Sequence, residues 1–495
     1  MRNLSKSKLI AHRQCPKRLW LELNKPELLD NSSSEVAFLA GHQVGKIAQS
    51  ILDPQMKGIN VDPNLIGWDD SAAQTKEALK LGEGPIFEAL LTIPGALALA
   101  DVMRPSEDFS ELQWELIEVK CSTCVHDYHR DDVAIQTYIA ETVGINLSRV
   151  GVAHINKQFV YPGEDNYEGL LQIEDITEEA KGRHTEVKKW IVQAQAVAAL
   201  IEEPTVEVGD HCSSPFECGF CNYCWKDVPK PKVPASILPR IRKSKLKGWE
   251  NQGITELSDT PDDEINESQK RVKAATLSGR TYFDAEGATA ALAGRTSTAY
   301  FLDFETISLA VPIWKGTRPY QQITFQFSLH RVDEDGTIHH SEFLDLSGDD
   351  PREAFIKAII EDCGSFGPIY VYNSAFENTR IKELAEAYPS YTDKLHALLP
   401  RVVDLLPVAR NYYYHPDQKG SWSIKAILPT ICPELQYSDL EGVQAGSEAG
   451  IAYLEAIEPK TPADRKEELR QQMLEYCKLD TLATVKIWEF FLEGT

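Results

Sequence analysis

The feature that most constrains the fold is an apolar run near residue 300 that carries two acids. It reads Ala299-Tyr300-Phe301-Leu302-Asp303-Phe304-Glu305, a composition typical of a buried β-strand. Side chains alternate between the two faces of a strand, so Asp303 and Glu305 share one face and lie about 7 Å apart along the chain. Two carboxylates on a buried strand are costly unless a cation or another partner compensates them. The run therefore predicts an α/β domain with a site for divalent metal.

The chain has 495 residues, which is too long for one compact core and predicts two to three domains. Residues 1–228 mix helices and short strands and end in a group of cysteines. A Pro/Lys linker, Pro229-Lys230-Pro231-Lys232-Val233-Pro234, follows. We expect 229–296 to form this linker and a small helical connector (about 237–285), and 297–495 to form an α/β domain.

Charge and hydropathy set limits on partners. The net charge is −24, so general electrostatic attraction to nucleic acid should be weak. Contacts with phosphates must come from local basic stretches such as Arg240-Ile241-Arg242-Lys243-Ser244-Lys245-Leu246-Lys247. We find neither an apolar run long enough for a membrane span nor a secretory signal, and we expect a cytoplasmic protein without a membrane partner.

Further acids follow the first pair in a regular order. Glu377 comes just after the predicted strand 368–372, at the start of a helix. Tyr476 and Asp480 are four residues apart on a helix near the end of the chain and share one face of it. Four acids and a tyrosine suit phosphodiester hydrolysis with two metal ions, because carboxylates can hold both cations and a phenol can orient water. The alternative is that each acid is a solvated or capping residue.

The C-terminal pattern resembles the DnaQ-like, ribonuclease-H-fold 3′–5′ exonucleases of the DEDD type, tyrosine subclass. The matching segments are Asp303-Phe304-Glu305, Asn373 to Glu377, Tyr476 to Asp480, and the intervening Val403-Asp404-Leu405-Leu406 and Ser423-Ile424-Lys425-Ala426-Ile427. The resemblance implies that Asp303, Glu305, Glu377 and Asp480 bind Mg²⁺ or Mn²⁺. It also implies that Tyr476 is catalytic. Glu377 stands where the family usually has Asp, and Asp404 is the fallback ligand.

A second acidic constellation lies in the first 228 residues. Asp101 closes a predicted strand, Ala96-Leu97-Ala98-Leu99-Ala100, and Glu118 and Lys120 share one face of the next strand, Trp114 to Lys120. Two acids can bind a divalent ion while a lysine steadies the activated water or the charge developing on phosphorus. A lone Glu-Val-Lys on a strand is also common by chance.

These residues resemble the PD-(D/E)XK nuclease core in its RecB-like branch, which includes AddB and the CRISPR-adaptation exonucleases. The resemblance implies that Asp101 and Glu118 bind metal and that Lys120 and Gln136 are catalytic. Two family positions differ: Ala140 replaces the usual tyrosine, although Tyr138 is nearby, and Gly45 stands where the branch has a histidine ligand, with His42 nearly one turn earlier.

Four cysteines, Cys212, Cys218, Cys221 and Cys224, lie close together in the sequence. Thiolates at such spacing can hold an iron–sulfur cluster or zinc, and reduced free thiols are the plain alternative. Cys121 and Cys124 form another Cys-x-x-Cys, which we interpret as incidental loop thiols. Cys363, Cys432 and Cys477 lie in apolar surroundings and are predicted to be core residues.

The RecB-like branch joins one early cysteine to three late ones on a [4Fe–4S] cluster. Leu9 to Trp20 resembles the early segment, so the resemblance implies Cys15, Cys212, Cys218 and Cys224 as ligands. Cys221 is a possible substitute for one of them. The competing assignment is a four-cysteine zinc site that uses Cys221 and spares Cys15.

Together the patterns predict a fusion of two nucleases. The first hypothesis is an enzyme that cleaves nucleic acid, DNA favoured over RNA, at one or both sites in DNA repair, recombination or defence. The second is that one domain is degenerate and only positions nucleic acid, the N-terminal domain being the better candidate. The third is a non-catalytic binding scaffold. Protein partners are left open by the sequence.

Overall fold

The computed structural model describes residues 2–30, 35–106, 111–293 and 298–494, with side chains throughout except at 35–39. It is a mixed α/β structure with several sheets and many helices. The chain divides into two compact units, Met1–Val228 with Leu309–Gln321 and Pro229–Ser308 with Gln322–Thr495. No helix formed by the described residues has the length and apolar character needed to traverse a lipid bilayer.

The described part of the first unit contains a seven-stranded sheet flanked by helices. The strands are β1 (Leu4–Ser5), β2 (Ile59–Asn60), β3 (Ile86–Ile93), β4 (Ala96–Pro105), β5 (Trp114–Lys120), β6 (Leu147–Ile155) and β7 (Leu171–Asp175). The helices are α1 (Lys6–Gln14), α2 (Pro16–Asn24), α3 (Glu35–Leu52), α4 (Pro63–Ile66), α5 (Trp68–Leu81), α6 (Asp127–Thr142), α7 (Thr177–Gly182), α8 (His184–Ala198) and α9 (Cys221–Cys224).

The order in this sheet is β2-β3-β4-β5-β6-β7, with β1 beside β4. A tight turn at Gly95, whose φ is 91°, joins β3 to β4, and glycine has no Cβ to oppose this conformation. β5 and β6 are parallel and are connected through α6, as parallel strands require a crossover. β4 continues past Asp101 to Pro105 because Val102 and Met103 pair with β5. Asp101 therefore lies within the strand and does not close it.

The second unit contains β8 (Tyr282–Phe283), β9 (Ala299–Ser308), β10 (Gln322–Val332), β11 (Ile338–Leu344), β12 (Ile369–Val371), β13 (Val402–Asp404) and β14 (Tyr413–Tyr414). Its helices are α10 (Lys243–Glu250), α11 (Glu267–Ser278), α12 (Ala285–Leu292), α13 (Arg352–Asp362), α14 (Ser374–Ala387), α15 (Thr392–Leu398), α16 (Leu406–Tyr412), α17 (Ile424–Ile431), α18 (Gly446–Ile457) and α19 (Ala463–Glu493).

The main sheet of the second unit has the order β11-β10-β9-β12-β13. β9, β10 and β11 pair antiparallel, whereas β12 runs parallel to β9 and β13 parallel to β12. The long helix α19 packs against this sheet, and the Gln326 side-chain amide donates to the Met473 carbonyl at 2.8 Å. The apolar run 299–305, predicted to be a buried strand, thus belongs to β9, the central strand of this sheet.

The predicted connector, 229–296, belongs to the second unit. It buries Ala235, Leu238, Trp249, Leu257 and Ile265 in a small core of its own. It is also tied to the rest of the unit because β8 pairs with β14. The expected boundary between 296 and 297 lies outside the described residues.

Candidate functional site

Three carboxylates of the second unit converge. One oxygen each from Asp303, Glu305 and Asp480 lies within 4.8 Å of the others. β9 supplies the first two side chains on one face, as the strand period requires, and α19 supplies the third. Among the described residues, no lysine, arginine or histidine forms an ion pair with this group, which we call the acid triad.

Burial and mutual repulsion make the acid triad hard to ionise fully. Burial, together with the charges of Asp480, Glu305 and Glu377, raises the pKa of Asp303 well above its usual value. Burial and the Asp480 charge raise the pKa of Glu305 to about 8. The pKa of Asp480 is raised to about 6 by burial, against the hydrogen bond from Tyr437 and the charge of Lys425. Such a group of hard oxygen donors, whose negative charge no ion pair among the described residues neutralises, suits Mg²⁺ or Mn²⁺.

Glu377 lies beside the acid triad but outside its 4.8 Å group. It stands in the first turn of α14 and is 2% exposed. Its Oε2 atom has no hydrogen-bond partner, and burial raises its pKa to about 8. A buried carboxylate oxygen without a partner costs free energy that a cation would recover.

Asp404, the fallback ligand, has another role. Its carboxylate accepts hydrogen bonds from the backbone amides of Asn373, Ser374 and Leu406 at 2.9–3.0 Å and from the Ser374 hydroxyl at 3.1 Å. It thereby holds the start of α14, where Asn373 has a φ of 87°. Asp404 is a helix-capping residue that positions the segment leading to Glu377.

Two tyrosines and a lysine surround Asp480. Tyr476 precedes it by one turn of α19, as the spacing predicted, and burial together with the Asp480 charge raises the pKa of the Tyr476 phenol. The phenol of Tyr437 also donates a hydrogen bond to Asp480. The Lys425 ammonium lies 4.9 Å from the ring centroid of Tyr437 and 5.0 Å from that of Tyr476. Tyr437 and the position of Lys425 at this site were missed, because neither has a local sequence signal.

The first unit brings Asp101, Glu118, Lys120 and Gln136 together, as expected, but adds Lys6 and Asp132. The Gln136 amide donates to Glu118 Oε2 at 2.6 Å. Lys120 Nζ lies 2.5 Å from Glu118 and 2.8 Å from Asp132. We call the set Asp101, Glu118, Asp132, Lys6 and Lys120 the acid–lysine cluster.

Lys6 of α1 lies among the acids of this cluster. Its Nζ atom is 2.7 Å from Glu118, 3.6 Å from Asp132 and 4.0 Å from Asp101. Burial opposes ionisation of Glu118, but the ammonium groups of Lys120 and Lys6 hold its pKa well below the usual value. The same acids raise the pKa of Lys6 despite burial. The charges of the acid–lysine cluster are therefore compensated largely by its own lysines.

Asp101 and Glu88 complete the surroundings of the acid–lysine cluster. Asp101 Oδ2 accepts from the Val119 amide at 2.7 Å, and burial raises the pKa of Asp101 to about 7. Glu88 faces it from β3 in a left-handed conformation, with a φ of 56°, and burial raises its pKa to about 7. Gly45, at the family's histidine position, offers no imidazole. Glu88 and Lys6 were both missed by sequence reasoning.

Five cysteines line one cavity of the first unit: Cys15, Cys212, Cys218, Cys221 and Cys224. Cys15 lies between α1 and α2, and Gln14 fixes this junction by donating to the carbonyls of His211 and Phe216 at 2.8 and 2.6 Å. Burial raises the pKa of Cys224 to about 11. No three thiols of the described residues come within 4.8 Å of one another. We call these five residues the thiol cluster.

The remaining cysteines lie apart from it. Cys124 is exposed, and the Cys121 carbonyl accepts a hydrogen bond from the Tyr320 hydroxyl. Cys363, Cys432 and Cys477 are buried, which confirms the prediction that they are core residues.

Comparison with known proteins shows partial similarity. Residues 300–423 match the family model described as "Domain of unknown function (DUF2779)", a segment that contains Asp303, Glu305 and Glu377 but not Asp480. The chain is 30% identical to an uncharacterized protein of Ureaplasma parvum serovar 3 over 27% of its length and 21% of that protein's. It is 23% identical to an uncharacterized protein of Mycoplasma genitalium over 38% of its length and 31% of that protein's. The matches thus span less than a third of either relative.

Proposed function

We propose that the protein is a metal-dependent nuclease that hydrolyses phosphodiester bonds, DNA favoured, at the acid triad. The observation that carries the proposal is the convergence of Asp303, Glu305 and Asp480 within 4.8 Å, with no ion pair to a basic side chain among the described residues. Buried carboxylates in this state are stabilised by divalent cations. The ordered motifs and the sheet order β11-β10-β9-β12-β13 support a ribonuclease-H-like fold for the second unit and 3′–5′ exonuclease chemistry.

Each residue of the site has a defined task in this proposal. Asp303, Glu305, Asp480 and Glu377 would hold Mg²⁺ or Mn²⁺, which supplies activation of water and stabilisation of the leaving oxygen. Tyr437 orients the Asp480 carboxylate through its hydrogen bond. Tyr476 is placed to orient the attacking water. Lys425 contributes positive charge at the edge of the site, where the scissile phosphate would lie.

For the first unit we propose a RecB-like PD-(D/E)XK fold that positions nucleic acid without cutting it. Lys6 and Lys120 neutralise the acid–lysine cluster, so a divalent cation gains less there than at the acid triad. This favours the second hypothesis, in which one domain is degenerate.

The thiol cluster is proposed to hold a [4Fe–4S] cluster. Zinc–sulfur bonds of about 2.3 Å would bring tetrahedral thiolates to about 3.8 Å from one another. No three of the described thiols come within 4.8 Å of one another, which favours a larger metal centre over zinc. In this assignment the cluster links Cys15, near the start of the domain, to the cysteines near its end. A role in repair, recombination or defence rests on the family resemblance alone.

The decisive experiment compares Asp303→Asn and Glu118→Gln with the unsubstituted chain. Labelled single-stranded and duplex DNA and RNA are incubated with Mg²⁺ or Mn²⁺, and products are resolved by length. We expect Asp303→Asn to reduce cleavage by about 100-fold or more, whereas Glu118→Gln and the exposed control Asp393→Asn retain it. Absence of cleavage by the unsubstituted chain, or full activity of Asp303→Asn, would refute the proposal.

A further inference from the structure

A polar cavity of about 610 Å³ lies in the second unit. Its wall includes Arg240 from the connector and Arg410 from α16, together with polar groups of Asn373, Ser268 and Ser421. We call it the basic pocket. Arg240 begins the basic stretch that the sequence singled out for phosphate contacts.

The two arginines have no acidic partner. Among the described residues, neither guanidinium forms a hydrogen bond or an ion pair. They are also close enough to repel each other, because burial and the charge of Arg240 lower the pKa of Arg410. The charge of Asp404 acts on Arg410, but its carboxylate already accepts four hydrogen bonds at the start of α14. Two like charges that share a cavity without an ion-pair partner favour an anionic ligand.

The backbone beside each arginine is fixed. The Gln269 amide donates to the Pro239 carbonyl at 2.9 Å, and the Arg271 guanidinium donates to the Arg410 carbonyl at 3.2 Å. Gly420, with a φ of 79°, approaches the connector so closely that an added Cβ would lie 1.7 Å from the Ile237 carbonyl oxygen. The pocket is therefore preorganised, which reduces the entropy cost of binding.

The pocket adjoins the segments that carry the acidic site. Asn373 lines it and directly precedes α14, whose first turn holds Glu377. Ile424 also lines it, and the next residue, Lys425, contacts the rings of Tyr437 and Tyr476. The wall of the pocket and the acidic site are thus connected by short stretches of chain, from Asn373 to Glu377 and from Ile424 to Lys425.

We propose that the basic pocket binds the phosphodiester backbone of a single nucleic-acid strand, with Arg240 and Arg410 contacting its phosphates. The guanidinium fork matches phosphate oxygens in shape and charge, and the volume exceeds that of one phosphate and accommodates a nucleotide. The inference rests on the proposed nuclease function, since it assigns the path of that enzyme's substrate.

Binding is tested by fluorescence anisotropy with a labelled single-stranded oligonucleotide of about 20 nucleotides, as DNA and as RNA. EDTA is present, so that binding is measured without metal-dependent cleavage. We expect Arg240→Gln and Arg410→Gln each to weaken binding about tenfold at low salt. Each should also reduce the slope of log affinity against log salt by about one. The matched control, Arg242→Gln, removes the same charge from the same basic stretch outside the pocket and should bind normally.

The outcomes separate this inference from the proposed function. The inference is overturned if Arg240→Gln and Arg410→Gln bind the oligonucleotide as tightly as Arg242→Gln does, or if the unsubstituted chain does not bind it. This holds even if Asp303→Asn abolishes cleavage. If Asp303→Asn still cleaves, while Arg240→Gln and Arg410→Gln weaken binding, the proposed function is overturned. The assignment of the basic pocket as a nucleic-acid site then stands. Displacement of the oligonucleotide by millimolar inorganic phosphate would identify a free-anion site and contradict the assignment to a strand. Unfolding midpoints of all variants check that they are folded.

Discussion

The ammonium of Lys6 lies 2.7 Å from Oε1 of Glu118, among the acids of the first unit. The acid triad of the second unit has no counterpart of this contact among the described residues. Its carboxyls accordingly have raised pKa values, whereas the lysines hold the pKa of Glu118 low despite burial. The two clusters contain similar acids but differ in which charges compensate them, and the predictions below use this difference.

Replacement of Lys6 should destabilise the first unit in a way that a cation can repair. Among the described residues, Lys6→Gln leaves Lys120 as the one ion-pair partner of Glu118 and Asp132. Loss of one partner of a buried ion pair costs about 3–5 kcal/mol. We expect a lower free energy of unfolding in denaturant titrations and a larger Mn²⁺-induced recovery than in the unsubstituted chain. Lys8→Gln, which removes a more exposed pair with Glu22, is the control. A Lys6→Gln variant as stable as Lys8→Gln would contradict the prediction.

Mg²⁺ or Mn²⁺ should stabilise the second unit, and more strongly at about pH 8 than at about pH 6. Burial raises the pKa of Glu305 to about 8 and that of Asp480 to about 6. Above ordinary carboxyl pKa values of about 4, the folded state therefore binds more protons than the unfolded chain, and metal-free stability falls as pH rises toward 8. A cation at about 100 times its dissociation constant adds about 2.7 kcal/mol.

Calorimetric unfolding with and without metal measures this effect. The Asp480→Asn variant should lose most of the metal-induced increase in the unfolding midpoint. An increase of equal size at both pH values, or one retained in Asp480→Asn, would show that the cation binds elsewhere.

Glu377→Gln should make the metal-free protein more stable and the enzyme less active. The variant removes a buried negative charge whose Oε2 has no partner, so the midpoint of unfolding above pH 8 should rise. Loss of a carboxylate at the metal site should reduce cleavage by at least about tenfold, and Glu377→Asp should retain more activity. Glu386→Gln, an exposed change on the same helix, serves as the control. Lower stability together with normal cleavage would assign Glu377 a purely structural role.

Tyr437→Phe should shift the acidic limb of the pH–rate profile to higher pH. The Tyr437 hydroxyl donates to Asp480 and lowers the pKa of that carboxyl against burial. Without this bond, Asp480 takes up a proton at higher pH and binds metal less well there. Tyr391→Phe, whose hydroxyl bonds Glu353 elsewhere in the unit, should leave the profile in place. An unchanged profile in Tyr437→Phe would exclude this positioning role.

Anaerobically purified protein should absorb near about 400 nm, as iron–sulfur proteins do. Cys15→Ser should lose the absorption, because the proposed ligands are Cys15, Cys212, Cys218 and Cys224, whereas Cys221→Ser should keep it. Metal analysis complements the spectra. A colourless protein with one zinc per chain would favour the competing zinc site. Loss of colour in Cys221→Ser but not in Cys15→Ser would show that Cys221 replaces Cys15 as a ligand of the cluster.

Local sequence patterns indicated the parts of both sites that lie on regular elements. The strand period placed Asp303 and Glu305 on one face of β9, and the helix period placed Tyr476 one turn before Asp480. The family resemblance named Gln136 and Glu118 for the same site, and the structure adds the hydrogen bond between them. The role of Asp404 was open, because only the fold shows that its oxygens hold the start of α14.

The sequence by itself determined which acids and thiols are present, their order, and the strand and helix faces that carry them, since these depend on periods of two and about 3.6 residues. Only the tertiary structure decided which charges meet. Lys6 reaches Glu118 across 112 residues of chain, and Tyr437 reaches Asp480 across 43. Arg240 comes to the same cavity as Arg410 because the connector folds together with the rest of the second unit. Such contacts depend on how distant elements fold together, and no local period specifies them.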